Sequence, residues 1–328
     1  MSYLIDITGT CNLRCPSCPV GNFQSVDFVD GIKKTKGFME LSLFKEIILK
    51  IKKENSNMLP IINLYNWGEP LIHPNVIEMI EFIHQQGLKA KLSSNLNTEA
   101  DIKAFVKTKP MSLIISTSGY YQETYERNHR RGGIALVKSN MYRLRHYMDK
   151  LKIGFDVRVS YHMYRDNVHN DVVMMSYLCQ ELGFSFQPGW AFIQPLEKVL
   201  SYLQGSQPTD DEQNVIKRLF FTPYERNEIV KKYHLSDCSL RSQQMSINWD
   251  GSVGLCCGVF DHEYTIANSF LEVAHEELQQ RKYQHPMCNV CMQNSVHKMG
   301  TMTKIPEFNQ IGNQRLEKLK SPIKLKNV

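Results

Sequence analysis

The sequence predicts an α/β fold: an open, partial (β/α)6 barrel of the TIM type, followed by a small C-terminal unit made of a β-hairpin and a helix. Three observations carry this. Strand-like apolar runs alternate with helix-period segments over residues 3–194, which implies parallel strands joined by crossover helices. Six such units fit an open barrel rather than a closed eightfold one. The rhythm then stops, and five cysteines, Cys238, Cys256, Cys257, Cys288 and Cys291, follow around the hairpin signal Asp250-Gly251.

The elements follow in order. Strand one is expected at residues 4–8, then a cysteine loop and a Gly- and Lys-rich loop at 20–37. Leu41, Phe44, Ile47, Ile48 and Ile51 repeat with the period of a helix over 41–53. Strand two is expected at 61–65. A helix starting at Pro74 turns Val76, Met79, Ile80 and Ile83 inward and stops at Gly87. Strands are expected at 89–93, 113–116 and 155–161, with helices at 99–106 and 134–148. Val172, Met175, Leu178 and Leu182 mark the next helix. Strand six starts at either 184–186 or 190–193. The domain expectation is therefore a barrel over 1–194, a helical linker over 195–235 that covers the barrel mouth, a cysteine unit over 236–300 and a tail over 301–328.

At 328 residues the chain is long enough for one large core and an appendage. Its net charge of +6 is mild, and part of it sits at Lys318, Lys320, Lys324 and Lys326, read as a solvated face. No basic run is interleaved with aromatics, which argues against a nucleic-acid partner. No apolar run approaches the ~20 residues of a membrane span, and no secretory signal pattern is evident. Nine cysteines fit a reducing, cytoplasmic setting, where clustered cysteine marks metal.

The stretch Thr8-Gly-Thr-Cys-Asn-Leu-Arg-Cys-Pro-Ser-Cys-Pro19 places Cys11, Cys15 and Cys18 in a C-x3-C-x2-C spacing. Soft thiolates this close favour zinc or iron–sulfur. Zinc wants a fourth Cys or His nearby, and the nearest histidine in sequence is His73. Three ligands on a 4Fe–4S cube leave one iron open. Trp67-Gly-Glu-Pro70 ends strand two, where Gly68 permits close backbone approach and Glu69 offers an acceptor. Ser93-Ser-Asn95 and Ser116-Thr-Ser118 end the next two strands with groups able to bond ribose or carboxylate oxygens. Arg158 within strand five needs a carboxylate partner, from a ligand or from the protein. His129-Arg-Arg-Gly-Gly133 is a basic loop before a helix, either solvated or anion-binding. Downstream, C-x12-G-x4-C and then C-x2-C bring four thiolates together; on spacing alone zinc and iron–sulfur fit equally. Cys179 falls on an apolar helix face and reads as a buried structural thiol. Cys257 is a packed residue, a neighbour tuning a metal centre, or a hydrogen donor. Tyr161, His162 and Tyr164 are candidates for a pocket wall.

The C-x3-C-x2-C loop after a strand resembles the radical S-adenosylmethionine (SAM) superfamily. The resemblance implies that Cys11, Cys15 and Cys18 hold a 4Fe–4S cluster whose open iron binds SAM. It assigns Gly68, Glu69, Ser93, Asn95, Ser116, Ser118 and Arg158 to SAM. Two departures are visible: Ser17 stands where many members have an aromatic residue, and Trp67 replaces the first Gly of the family's GGE motif. The downstream cysteines look like a twitch unit, the short form of the SPASM domain. With none after Cys291, one auxiliary 4Fe–4S cluster on Cys238, Cys256, Cys288 and Cys291 is implied. The expected activity is dehydrogenation of a sugar, cyclitol or nucleotide-linked sugar, as in the twitch-bearing aminocyclitol dehydrogenases, with a flavodoxin- or ferredoxin-type electron donor. The alternatives are epimerisation with Cys257 as hydrogen donor, peptide modification, and a zinc-stabilised RNA-binding or scaffold protein with no catalysis.

Overall fold

The structure, a computed structural model, describes residues 1–22, 28–29, 32–33, 37–55, 59–233, 236–299 and 305–325. Much of the expected 20–37 loop lies outside these residues.

The strands of the main sheet, in chain order, are β1 (Ser2–Ile5), β2 (Ile61–Asn63), β3 (Lys89–Ser94), β4 (Ser112–Thr117), β5 (Asp156–Met163), β6 (Ser185–Trp190), β7 (Gln244–Ile247), β8 (Val253–Gly254) and β9 (Thr265–Ala267). They form one sheet in the order β9-β8-β7-β1-β2-β3-β4-β5-β6. The run β1 to β6 is parallel throughout. Strand six starts within the first of the two segments expected, 184–186, and runs on to Trp190. Pro188 is tolerated there because β6 is an edge of the sheet. The C-terminal hairpin does not stand apart from the barrel. Strand β7 pairs in parallel with β1, Tyr3 opposite Met245, so the cysteine unit extends the barrel sheet beyond its first strand.

Crossover helices cover the outside: α1 (Leu41–Glu54), α2 (Val76–Gln85), α3 (Ile102–Thr108), α4 (Gln122–Asn128), α5 (Ile134–Leu151) and α6 (Asn170–Leu182). Their apolar stripes are those read from the sequence; Phe44, Ile47, Ile48 and Ile51 of α1 and Val76, Met79, Ile80 and Ile83 of α2 are all buried. Helix α4 has no such stripe, burying only Tyr125 and Asn128, and periodicity alone did not reveal it. In β5 the buried residues Val157, Val159, Tyr161 and Met163 alternate with the half-buried Arg158, Ser160 and His162, so the latter three share the inner face.

Beyond β6 come α7 (Leu196–Leu203), α8 (Asp210–Arg218) and α9 (Pro223–Val230). Thr209 and Thr222 each start a helix with a capping box, pairing with Glu212 and Glu225. Arg218 ties α8 to the barrel top through Asp166 at 3.3 Å and Asn128 at 2.5 Å. The cysteine unit adds α10 (Ser239–Gln243), α11 (His275–Gln284) and α12 (Pro286–Gln293). The stretch expected as a tail contains α13 (Pro306–Lys318), which packs back on the chain. Its Asn309 accepts from the Trp190 indole at 3.1 Å, and a Cβ on Gly312 would strike that indole at 2.2 Å.

Candidate functional site

The site is assembled where β1 ends. Asp6 is buried between Ile5 and Ile7 and accepts from the backbone N–H groups of Trp67 and Gly68, each at 3.1 Å. Burial pushes its carboxyl up to about 7, against the pull of those N–H bonds. The Glu69 N–H then donates to the Thr10 carbonyl at 3.0 Å. The turn after β2 is thus zipped onto the start of the cysteine loop. Gly68 is required by that contact, since a Cβ there would lie 1.5 Å from the Thr8 carbonyl oxygen. The close approach expected of this glycine is made to the chain itself. Asp6 was not singled out in the sequence, although an acid between two isoleucines in a strand is the signal that marks it.

Glu69 is buried and its carboxylate is engaged by the protein. It accepts from Ser94 Oγ and Asn95 N, each at 2.7 Å, and from Leu71 N at 3.0 Å. Burial raises its pKa. The side chain therefore locks the end of β3 against the turn. Asn95 in turn donates to Asn12 Oδ1 at 3.0 Å and to Cys11 Sγ at 3.6 Å, which reaches the first cysteine.

Cys11, Cys15, Cys18, Gly68, Glu69, Ser93, Asn95 and Ser116 all wall one cavity of about 250 Å³ at the C-terminal ends of the barrel strands. Tyr65, Asn66, Trp67, His129, His162 and Tyr164 are among its other walls. Of the residues assigned to SAM, two lie elsewhere. Ser118 is buried behind the wall, with Oγ 2.8 Å from His129 Nδ1, while the His129 ring itself faces the cavity. Arg158 stands four positions before His162 on the inner face, about 13 Å deeper along the strand, and pairs with Asp156 at 3.2 Å. Its carboxylate partner is a protein acid two residues away. His162 and Tyr164 take the pocket places; Tyr161 points away and donates its hydroxyl to the Asn167 carbonyl. Burial lowers His129 to about 3 and His162 to about 4, so both rings are neutral hydrogen-bonding groups at neutral pH. Arg130 of the basic loop pairs with Asp211 of α8 at 3.1 Å.

A groove of about 580 Å³ adjoins this cavity through Ser17, Cys18 and Gln194. Its walls carry Glu197, Lys198, Ser201, Thr209, Asp261 and Tyr264. Glu197 Oε1 accepts from the N–H groups of Phe260 and Asp261 at 2.8 and 3.0 Å, holding the loop that follows Cys256 and Cys257.

Four cysteines of the C-terminal unit, Cys238, Cys256, Cys288 and Cys291, border a second, apolar cavity with Leu240, Leu255, Met287 and Met292. The turn that folds this hairpin is the expected one. Gly251 has φ +84° and Asp250 Oδ1 accepts from Ser252 N at 3.0 Å. Trp249 of the same turn slots between Gly9 and Gly37, where a Cβ on either would lie 2.2 Å from the indole. Cys257 borders neither cavity. Cys179 is fully buried in α6, where it packs as a structural thiol.

Both cysteine sets fit an iron–sulfur group by the chemistry of their donors. Among the described residues no three His, Cys, Asp or Glu side chains close on a single ion; the sulfurs instead surround small volumes. Burial pushes Cys11 and Cys291 up to about 12 and raises Cys15, Cys256 and Cys288. Neighbouring cysteines add to the rise. Buried neutral thiols massed in this way are stabilised as thiolates by a metal that displaces their protons. Three sulfurs beside an open cavity that also presents Asn, Ser and His groups suit a cluster with an open position, and four around an apolar one suit a closed cluster.

No family model matches the chain. A tungsten-containing aldehyde ferredoxin oxidoreductase cofactor-modifying protein of Pyrococcus furiosus is 30% identical over 96 residues, covering 29% of this chain and 24% of that protein. The match thus spans about a quarter of the curated relative's length. Native anSMEcpe with bound AdoMet is similar at a TM-score of 0.55 and 13% identity, over 96% of this chain and 99% of that one. SuiB of Streptococcus suis bound to S-adenosylmethionine is similar at 0.54 and 11%, over 89% and 67%. At such identities the likeness is one of fold. No helix among the described residues is long and apolar enough to cross a membrane. With the barrel, the three-cysteine loop at its mouth and the four-cysteine unit on its first strand, the chain shares its fold with these two proteins solved with AdoMet or S-adenosylmethionine bound.

Proposed function

We propose that this chain is a radical SAM oxidoreductase that dehydrogenates a small hydroxylated substrate of the sugar, cyclitol or nucleotide-linked sugar class. The observation that carries it is the meeting of Cys11, Cys15 and Cys18 with Gly68, Glu69, Ser93, Asn95 and Ser116 in one cavity. Cys11, Cys15 and Cys18 would hold a 4Fe–4S cluster, which with SAM bound would supply the means to take hydrogen from carbon. Backbone carbonyls of the Gly68–Glu69 turn take the ammonium of SAM, because the Glu69 carboxylate is already bonded. Ser93, Asn95 and Ser116 bond its polar oxygens, and neutral His162 and Tyr164 face the reacting end. The groove beside Cys18, with Ser201, Thr209, Glu197 and Asp261, admits a polar substrate. Cys238, Cys256, Cys288 and Cys291 would hold an auxiliary cluster, which would accept an electron. A flavodoxin- or ferredoxin-type protein is the proposed reductant, and the cytoplasm the proposed setting.

Peptide modification is the second reading, favoured by one observation: anSMEcpe with a bound Cp18Cys peptide and SuiB bound to the precursor peptide SuiA share the fold at TM-scores of 0.55 and 0.54. Epimerisation is less favoured because Cys257 lies in the wall of neither the SAM cavity nor the groove.

The test is anaerobic incubation of iron- and sulfide-loaded protein with SAM, a reductant and cell extract, read by mass spectrometry against the Cys15→Ala variant. Dehydrogenation yields 5′-deoxyadenosine and a product short of two hydrogens. Epimerisation leaves mass unchanged in water and adds deuterium in heavy water. A modified peptide supports the second reading. A colourless protein that holds zinc and releases no deoxyadenosine overturns all three.

A further inference from the structure

A lysine with no exposed surface lies in the cysteine unit. Lys282 of α11 is completely buried. Its ammonium donates to the Leu240 carbonyl at 3.1 Å and to the Gln244 carbonyl. An ammonium has three N–H donors, and among the described residues no carboxylate pairs with this one. An uncompensated buried charge is costly. Its carbonyl partner Leu240 lines the cavity of Cys238, Cys256, Cys288 and Cys291; burial lowers the lysine's pKa, and the charges of Cys256, Cys288, Cys238 and Cys257 act against that. Neutral thiols give no compensation for that charge; thiolates on a cluster do. A second cation completes the setting. Arg241 borders the same cavity as the four cysteines, with its guanidinium 4.0 Å from the Tyr283 ring. Its Nε is buried without a partner, although Asp237 offsets its charge at 2.5 Å.

We propose that Lys282 is the counter-cation of the auxiliary centre and holds its reduction potential up, so that the centre accepts an electron readily. The proposal rests on the reading that the four cysteines carry an iron–sulfur cluster. An electron added to a cluster makes it more negative, and a fixed cation in a low-dielectric site stabilises that state more than the oxidised one. Lys282 is a positioning charge, since it touches neither substrate nor SAM. A purely structural role, stapling α11 to α10 and β7 through two carbonyls, predicts lost stability with no change in potential.

The experiment is a redox titration of the whole reconstituted protein followed by electron paramagnetic resonance, with Lys282→Met and Lys282→Arg beside wild type. Added SAM shifts the N-terminal signal and so tells the two clusters apart. Lys282→Met is expected to lower the auxiliary potential by about 59 mV or more, a tenfold weaker electron acceptance, while Lys282→Arg recovers most of it. Equal potentials in all three proteins overturn the proposal. Loss of auxiliary iron in both variants assigns Lys282 a structural role and also overturns it. Zinc in place of iron in wild type instead overturns the underlying reading, a result that iron analysis separates from the others.

Discussion

The Trp67 indole Nε1 donates to the Val259 carbonyl at 3.3 Å, linking the walls of the two cysteine-lined cavities. Trp67 walls the cavity of Cys11, Cys15 and Cys18, while Val259 borders that of Cys238, Cys256, Cys288 and Cys291. The ring also meets Phe260 edge-on, with centroids 5.5 Å apart. Trp67, which stands where the resembled GGE motif has its first glycine, thus reaches the loop that follows Cys256 and Cys257. Trp67→Phe keeps a ring but loses the donor, and is expected to lower unfolding free energy by about 1 kcal/mol. Trp67→Ala also forfeits the packing and is expected to cost about 3 kcal/mol. Denaturant unfolding of both variants checks this; equal stabilities would leave the bond without consequence.

Gly68 tests how the turn is built. Gly68→Ala places a methyl 1.5 Å from the Thr8 carbonyl oxygen, in contact with backbone that cannot yield cheaply. The turn and the cysteine loop must separate, so SAM affinity is expected to fall at least about tenfold, with stability down by more than about 2 kcal/mol. Gly133→Ala is the control, since nothing lies within 4 Å of its added Cβ. Titration calorimetry with SAM on the reconstituted proteins reads the difference.

Asp6 makes stability depend on pH. Its folded pKa, about 7, lies above the ordinary carboxyl value because of burial. The folded state therefore holds a proton that the unfolded state releases. The contribution is complete below about pH 4 and is lost as pH rises towards 7. Asp6→Asn, which keeps one acceptor and cannot ionise, is expected to flatten this part of the stability curve. Chemical denaturation at a series of pH values between these limits shows whether the slope disappears.

The cysteines separate by iron content. With both clusters present the protein should hold about eight iron atoms. Cys291→Ala should bring this to about half, whereas Cys257→Ala, outside both cavities, should keep the full complement. Metal analysis after anaerobic reconstitution decides it. If Cys257→Ala keeps its iron and still cleaves SAM but stops turnover, epimerisation regains ground.

Much of the barrel was legible because one-sided burial imposes a period. The stripes of α1 and α2 and the strands β3 and β4 could be placed within a few residues. Helix α13 escaped because the buried Phe308, Asn309, Gly312 and Leu316 that hold it include a polar residue and a glycine. Both depend on one distant indole, that of Trp190. Arg158 was assigned to the cofactor from its strand, but a strand has depth as well as a face. Whether a side chain reaches the mouth depends on its register with the neighbours, here Ile114 on one side and Ser185 on the other.

Local chemistry is written in the chain itself. Thiol spacing, turn glycines and apolar period act over a few residues, and from them follow the two cysteine sets, the barrel class and the hairpin at Asp250-Gly251. Which groups face a ligand and which are consumed by the protein was decided only by folding. Glu69 is bound to Ser94 and Asn95, Ser118 stands behind His129, and Lys282 is buried against the Leu240 and Gln244 carbonyls, because segments far apart in sequence meet there. Hydrogen bonding and burial are properties of that meeting, and no spacing along the chain records them.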